Sequence, residues 1–216
     1  MSSKLQYISQ GETIEKQLHN IHQALDAGCN WVQMRFKDQT QKDTFALAEA
    51  VKPLCEKYAA NFIVNDDLHL AKEIDADGVH LGLTDTKIDE ARAFLGTSKI
   101  IGGTANTFED IENHVKNGCD YIGLGPFRFT ATKEKLSPIL GLSGYFDILQ
   151  KLKKNKIEIP VYAIGGITLR DVSPLMETGI FGIAVSGIIT ESDEKEKLIQ
   201  QLNEKLYADL IVQNRR

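Results

Sequence analysis

Short apolar runs alternate with amphipathic stretches along the whole chain. LQYIS, WVQMRF, FIVN, GVHLG, KIIGG, YIGLG, PVYAIGG and GIAVSG read as short buried strands, and all but the first carry Gly, Pro, Asp or Asn at a boundary. Between them apolar residues return at helical spacing, as at Ile14, Leu18, Ile21 and Leu25 before a stop at Gly28. The pattern predicts eight strands alternating with eight helices, the helices over residues 13–27, 41–59, a short one around Leu70, then 88–95, 108–115, 145–154, 169–177 and 194–212. Strands joined through helical crossovers run parallel, because an antiparallel pair needs only a tight turn. A weak repeat supports the count. AGCNWVQMR, DADGVHLG, NGCDYIGLG and TGIFGIAVS each place a small residue or Gly at a helix exit before an apolar strand, on strands two, four, six and eight. A single closed (β/α)8 barrel over residues 1–216 is the simplest architecture that leaves no sheet edge, with an open doubly wound sheet as the alternative.

Composition narrows the partners. The 216 residues are 42% apolar and 25% charged, the balance of an ordinary folded protein. A net charge of -5 offers no basic face for nucleic acid, so a phosphorylated ligand must be held by a few local cations. The first residues have no apolar core of the kind a signal peptide carries, and IFGIAVSGII is too short to span a bilayer; the expectation is a cytoplasmic protein without a membrane anchor. Cys29, Cys55 and Cys119 are odd in number and widely spaced, which suggests neither a disulfide framework nor a zinc site, and Cys29 and Cys119 read as small core residues. Oligomeric state is open, a homo-oligomer included.

The candidate chemistry gathers at the C-terminal ends of the strands, where parallel α/β folds place it. Strands three and four, NFIVN and GVHLG, run into Asp66 and Asp67 and into Asp85. Asp67 reads as the cap of the next helix. Asp66 and Asp85 form a carboxylate pair suited to Mg²⁺, which typically takes one or two carboxylates and leaves its remaining positions to water and phosphate. Gln33, Arg35 and Lys37 alternate on one face of strand two, costly in a buried strand unless an anion meets them. After strand six, the loop from Pro126 to Gly141 supplies Thr130, Thr132 and Lys133, and its length and scarcity of large apolar anchors suggest a mobile cover. Strands seven and eight end at Gly165, Gly166 and Ile167 and at Val185, Ser186 and Gly187, where backbone N–H groups in many barrels hold a phosphate. A metal pair, a cationic strand and a separate backbone site together suggest two phosphorylated substrates, one a diphosphate chelated through Mg²⁺. No Ser/His/Asp or Cys/His triad is evident, and His80 reads as a hydrogen-bonded core residue.

WVQMRFKD, FIVNDD, DGVHLG with Asp85, DYIGLGPFRFTATK, AIGGI and GIAVSG, in that order, resemble the thiamine phosphate synthases, and the resemblance runs from strand one through strand eight. It implies a Mg²⁺-dependent transferase joining an aminopyrimidine methyl diphosphate to a thiazole phosphate, with release of diphosphate. It implies that Asp66 and Asp85 hold the metal, that Arg35, Lys37, Asn65 and Lys133 bind the diphosphate, and that Gln33 lies beside the pyrimidine. Thr130, Thr132, Gly166, Val185 and Ser186 would hold the thiazole phosphate, and Thr104, in the place of the family's Ser, would offer the diphosphate a hydroxyl. Leu83 stands where the family has Gln, and Asn106 where it has His. Two other readings differ in class: a thiazole tautomerase-like isomerase, against which Asn106 counts because Asn does not shuttle protons, and a non-catalytic paralogue that binds thiazole or thiamine phosphates.

Overall fold

In the computed structural model, which describes residues 3–129 and 138–208, eight parallel strands pair in sequence order and the last closes on the first. The strands are β1 (Leu5–Ile8), β2 (Trp31–Met34), β3 (Asn61–Asn65), β4 (Gly78–Leu81), β5 (Ile100–Ala105), β6 (Tyr121–Leu124), β7 (Val161–Ile164) and β8 (Gly182–Val185). Between them lie α1 (Ile14–Asp26), α2 (Gln41–Lys57), α3 (Leu68–Glu73), α4 (Ile88–Leu95), α5 (Phe108–Lys116), α6 (Gly141–Lys154) and α7 (Val172–Glu177). After β8 come α8 (Gly187–Thr190) and α9 (Lys195–Leu206). This is the expected (β/α)8 barrel, with the one-turn α8 as an unforeseen addition. The last part of the expected terminal helix, residues 209–212, lies outside the described residues. Among those described, no helix is long and apolar enough to cross a membrane.

Local chemistry sets the helix ends. Thr13 caps α1, Thr107 and Asp110 make a reciprocal box on α5, and Asp67 caps α3 by accepting the Leu70 N–H at 2.9 Å, the role expected for it. Three copies of the repeat leave their helices through Gly28, Gly118 and Gly179, at φ of 97°, 85° and 99°. In the fourth, Asp75 takes the left-handed position at φ 53°, and Gly78 serves another need: a Cβ there would sit 2.0 Å from the Ile100 carbonyl oxygen.

Alternation along each strand divides the core into two layers. Outward residues such as Tyr7, Val32, Phe62, Val79 and Ile101 pack under the helices. Inward residues Trp31, Ile63, Tyr121, Tyr162 and Ala184 fill the barrel, with Trp31 edge-on to Tyr121 and Tyr162 at 5.1 and 5.2 Å between ring centroids. Gly102 makes room for the Tyr121 ring, which an added Cβ would meet at 2.2 Å. The interior also holds a polar set: Gln6, Gln33, His80 and Thr104 are buried there and Asn65 nearly so.

Candidate active site

Two features meet at the C-terminal rim of the barrel. The first is the carboxylate pair. Asp66 leaves β3 in the left-handed region at φ 65°, its N–H held by the His80 carbonyl at 2.8 Å, so the chain turns sharply and presents the side chain at the rim. The Asp85 carboxylate accepts the Gly82 N–H at 2.6 Å and lies within hydrogen-bonding reach of Asp66. Burial, then this contact with Asp66, push the Asp85 carboxyl above the usual carboxylate range. Lys37 lies 3.0 Å from Asp66. Two carboxylates facing one another beside a lysine are an incomplete charge arrangement that a divalent cation would complete, and two is a usual number for Mg²⁺. Among the described residues, no group of three or more His, Cys, Asp or Glu side chains is placed to hold a metal without help from a ligand.

The second feature is a cavity of about 320 Å³ opening over β7, β8 and β1. Gly165, Gly166 and Ile167 form one wall, Val185, Ser186 and Gly187 another, and Ser9, Gln10 and Arg35 a third. Gly165 follows β7 at φ 91° and Gly166 at 69°; a Cβ on Gly165 would meet Pro126 at 2.8 Å, so only glycine allows the two loops to approach this closely. The Ser186 hydroxyl donates to Gln10 Oε1 at 2.9 Å. The segment after β2 serves both features: Arg35 lines this cavity, and Lys37, two residues on, meets Asp66.

One expectation is corrected in detail. Arg35 and Lys37 do not ride on strand two, because β2 ends at Met34. Side chains replace the ladder there: Ser9 Oγ accepts the Arg35 N–H at 3.0 Å, and Gln17 Nε2 donates to the Arg35 carbonyl at 2.9 Å. Gln33, still in the strand, donates to Asn65 Oδ1 at 2.7 Å, leaving its own Oε1 buried without a hydrogen-bond partner. His80 is packed inside as expected, its Nδ1 3.0 Å from the Tyr121 hydroxyl and its Nε2 3.0 Å from Thr104 Oγ1. Gln6 extends the chain to Tyr121 at 3.2 Å.

A family model described as thiamine monophosphate synthase matches residues 5–189. The chain belongs to the thiamine monophosphate synthase family. It is 79% identical to a thiamine-phosphate synthase of Flavobacterium johnsoniae over 98% of this chain and 100% of that one. It is 38% identical to one of Bacillus licheniformis over 87% and 83%. The thiamine phosphate pyrophosphorylase of Pyrococcus furiosus has the same fold, with a TM-score of 0.82 at 28% identity over 95% of this chain and 96% of that one. A 3-hexulose-6-phosphate synthase from Salmonella typhimurium, at 14% identity and TM-score 0.69, shares the fold alone.

The departures from the thiamine monophosphate synthase pattern now have positions. Leu83 is 48% exposed beside the Asp85 turn. Thr104 is buried against His80 rather than open to the rim. Asn106 donates its side-chain amide to the Gly125 carbonyl and its N–H to Asp110, tying β5 to β6. Thr130, Thr132 and Lys133, with the middle of the expected mobile cover at residues 130–137, lie outside the described residues. Sequence reading passed over Gln10 and Arg128. Alternation with Ile8 pointed to Gln10, and the charge inside GPFRF pointed to Arg128.

Proposed function

We propose that this chain, as one barrel domain acting in the cytoplasm, condenses an aminopyrimidine methyl diphosphate with a thiazole phosphate. The observation that carries this reading is that one barrel rim holds a carboxylate pair met by Lys37 and a glycine-lined cavity lined by Arg35, two residues earlier in the same segment. Asp66 and Asp85 would hold Mg²⁺, which would supply charge neutralisation for the departing diphosphate. Lys37, which stands against Asp66, takes up the same charge together with Arg35, and Lys133 belongs to this set by family resemblance.

Gln33 orients the pyrimidine. Its amide nitrogen is committed to Asn65, so its carbonyl oxygen is an acceptor waiting for a donor, which the substrate's exocyclic amine provides. The bond between the pyrimidinylmethyl carbon and oxygen breaks, its electron pair leaves with the diphosphate, and the thiazole nitrogen's lone pair forms the new carbon–nitrogen bond. No protein nucleophile is required. The barrel contributes alignment of the two substrates and stabilisation of the leaving charge. The thiazole phosphate fits the turns of Gly166, Val185 and Ser186, where glycine lets an anion come close to backbone N–H groups.

Asp66→Asn tests the metal assignment. Equilibrium dialysis in the presence of diphosphate is expected to give Mg²⁺ binding weakened by about tenfold or more, and diphosphate release by the variant is expected to fall by about a hundredfold. Unchanged Mg²⁺ binding would remove Asp66 from the site.

A further inference from the structure

Arg128, at the root of the β6–α6 loop, makes an unusual number of contacts to one neighbouring turn. Its backbone N–H donates to the Gly165 carbonyl at 3.1 Å, and its guanidinium donates to the Gly166 carbonyl at 2.7 Å. The same guanidinium grips Asp171 with both arms, at 2.6 and 2.8 Å, and lies over the Phe127 ring at 4.7 Å. Asp171 in turn accepts the N–H and the hydroxyl of Thr168 at 2.7 and 2.6 Å. Two consecutive carbonyls of the glycine turn are thus pinned by one residue.

In a trans peptide the C=O and the following N–H point in opposite directions. Fixing the Gly165 and Gly166 carbonyls on Arg128 therefore turns the Gly166 and Ile167 N–H groups away from it, in a turn that walls the cavity. No hydrogen bond among the described residues uses either N–H. Arg128 also offsets the Asp171 carboxylate, which would otherwise stand uncompensated close to a bound anion.

We propose that Arg128, clamped to Asp171, is a positioning residue that holds the Gly166 and Ile167 amides in readiness for the thiazole phosphate. The proposal rests on the reading above that this turn receives that phosphate. It separates Arg128 from the groups that touch substrate, because its side chain works through the turn.

Steady-state kinetics of Arg128→Ala with both substrates provide the test. The KM for thiazole phosphate is expected to rise about tenfold, while kcat and the KM for the pyrimidine diphosphate stay within about twofold. Arg128→Lys should recover only part of the loss, because a single ammonium cannot bridge Asp171 and the Gly166 carbonyl as a fork does. Asp171→Asn should move the same constant in the same direction. A simple packing role would lower both affinities alike or shift only the thermal midpoint, and either result, or an unchanged KM for thiazole phosphate, overturns the proposal.

Hydrogen exchange of the segment 165–168, with inorganic phosphate as the probe, gives an answer independent of turnover. Phosphate should slow exchange there in the wild-type chain and have little effect in Arg128→Ala; equal protection in both overturns the clamp. If the wild-type chain makes no thiamine phosphate but this difference persists, the functional reading fails and the clamp stands.

Discussion

Gln33 illustrates how a single side chain acquires a task from its neighbour. Its N–H₂ is held by Asn65, and its Oε1 is buried with no partner, a cost of about 1–3 kcal/mol that a donor on the proposed pyrimidine substrate would relieve. Gln33→Met keeps the bulk and removes the acceptor, so the KM for the pyrimidine diphosphate should rise about tenfold or more with that for thiazole phosphate unchanged; steady-state kinetics with each substrate varied in turn check this. Asp171 offers a pH test at the same scale. The Arg128 guanidinium holds its carboxyl at about 2, below the usual carboxylate value of about 3.9. A depressed carboxylate contributes stability that is complete above the unfolded value and disappears as pH falls through the folded one, here from about pH 4 down to about 2. Asp171→Asn should therefore lose stability at pH 6 and approach the wild type near pH 2, as read from urea midpoints. The polar residues at the rim were legible because buried strands rarely carry Gln, Arg or Asp, and Asp67 was legible as a cap from its place before LHLAKEI. The clamp at Arg128 was not legible, because nothing in GPFRF says that a residue there will reach Asp171 across β7.

The elements were read from period and punctuation, and the failures fall where side chains take over from the ladder. β2 stops at Met34 although the alternation continues through Phe36, because Ser9 and Gln17 bind the Arg35 backbone in place of a neighbouring strand. α6 starts at Gly141 rather than near Tyr145, since Leu140 and Gly141 are tied to the Pro126 and Phe127 carbonyls at 3.0 and 3.1 Å, a long-range support that two glycines conceal in the sequence. α7 begins late, at Val172, because the preceding turn is closed by Asp171 on Thr168. The repeat also grouped glycines that do different work, and a pair of substitutions separates them. Gly28→Ala places a Cβ in open space at φ 97° and should cost about 1 kcal/mol of backbone strain. Gly78→Ala drives a Cβ to 2.0 Å from the Ile100 carbonyl oxygen and should cost several times more, about 3 kcal/mol or above, because a paired strand has to move. Urea unfolding of the two variants measures both; equal losses would mean that β4 and β5 adjust freely.

At the scale of the whole molecule, closing eight parallel strands brings residues distant in the chain to one rim. Asp66 and Asp85 come from β3 and β4, the cavity walls from β7 and β8, and β1 brings Gln10 between them and Arg35. This convergence was legible in outline once the strand count was right, because residues at C-terminal strand ends must meet in a closed barrel. The interior chain from Gln6 through Tyr121 and His80 to Thr104 was not, since it depends on which inward side chains reach one another across the lumen. The most direct test of the account is diphosphate release from purified protein given aminopyrimidine diphosphate, thiazole phosphate and Mg²⁺, with each omitted in turn and EDTA added in a parallel reaction. The account predicts release only when all three are present, thiamine phosphate formed in equal amount, and loss of turnover in EDTA. Binding of thiazole phosphate without release, or release at the same rate in EDTA, would contradict it.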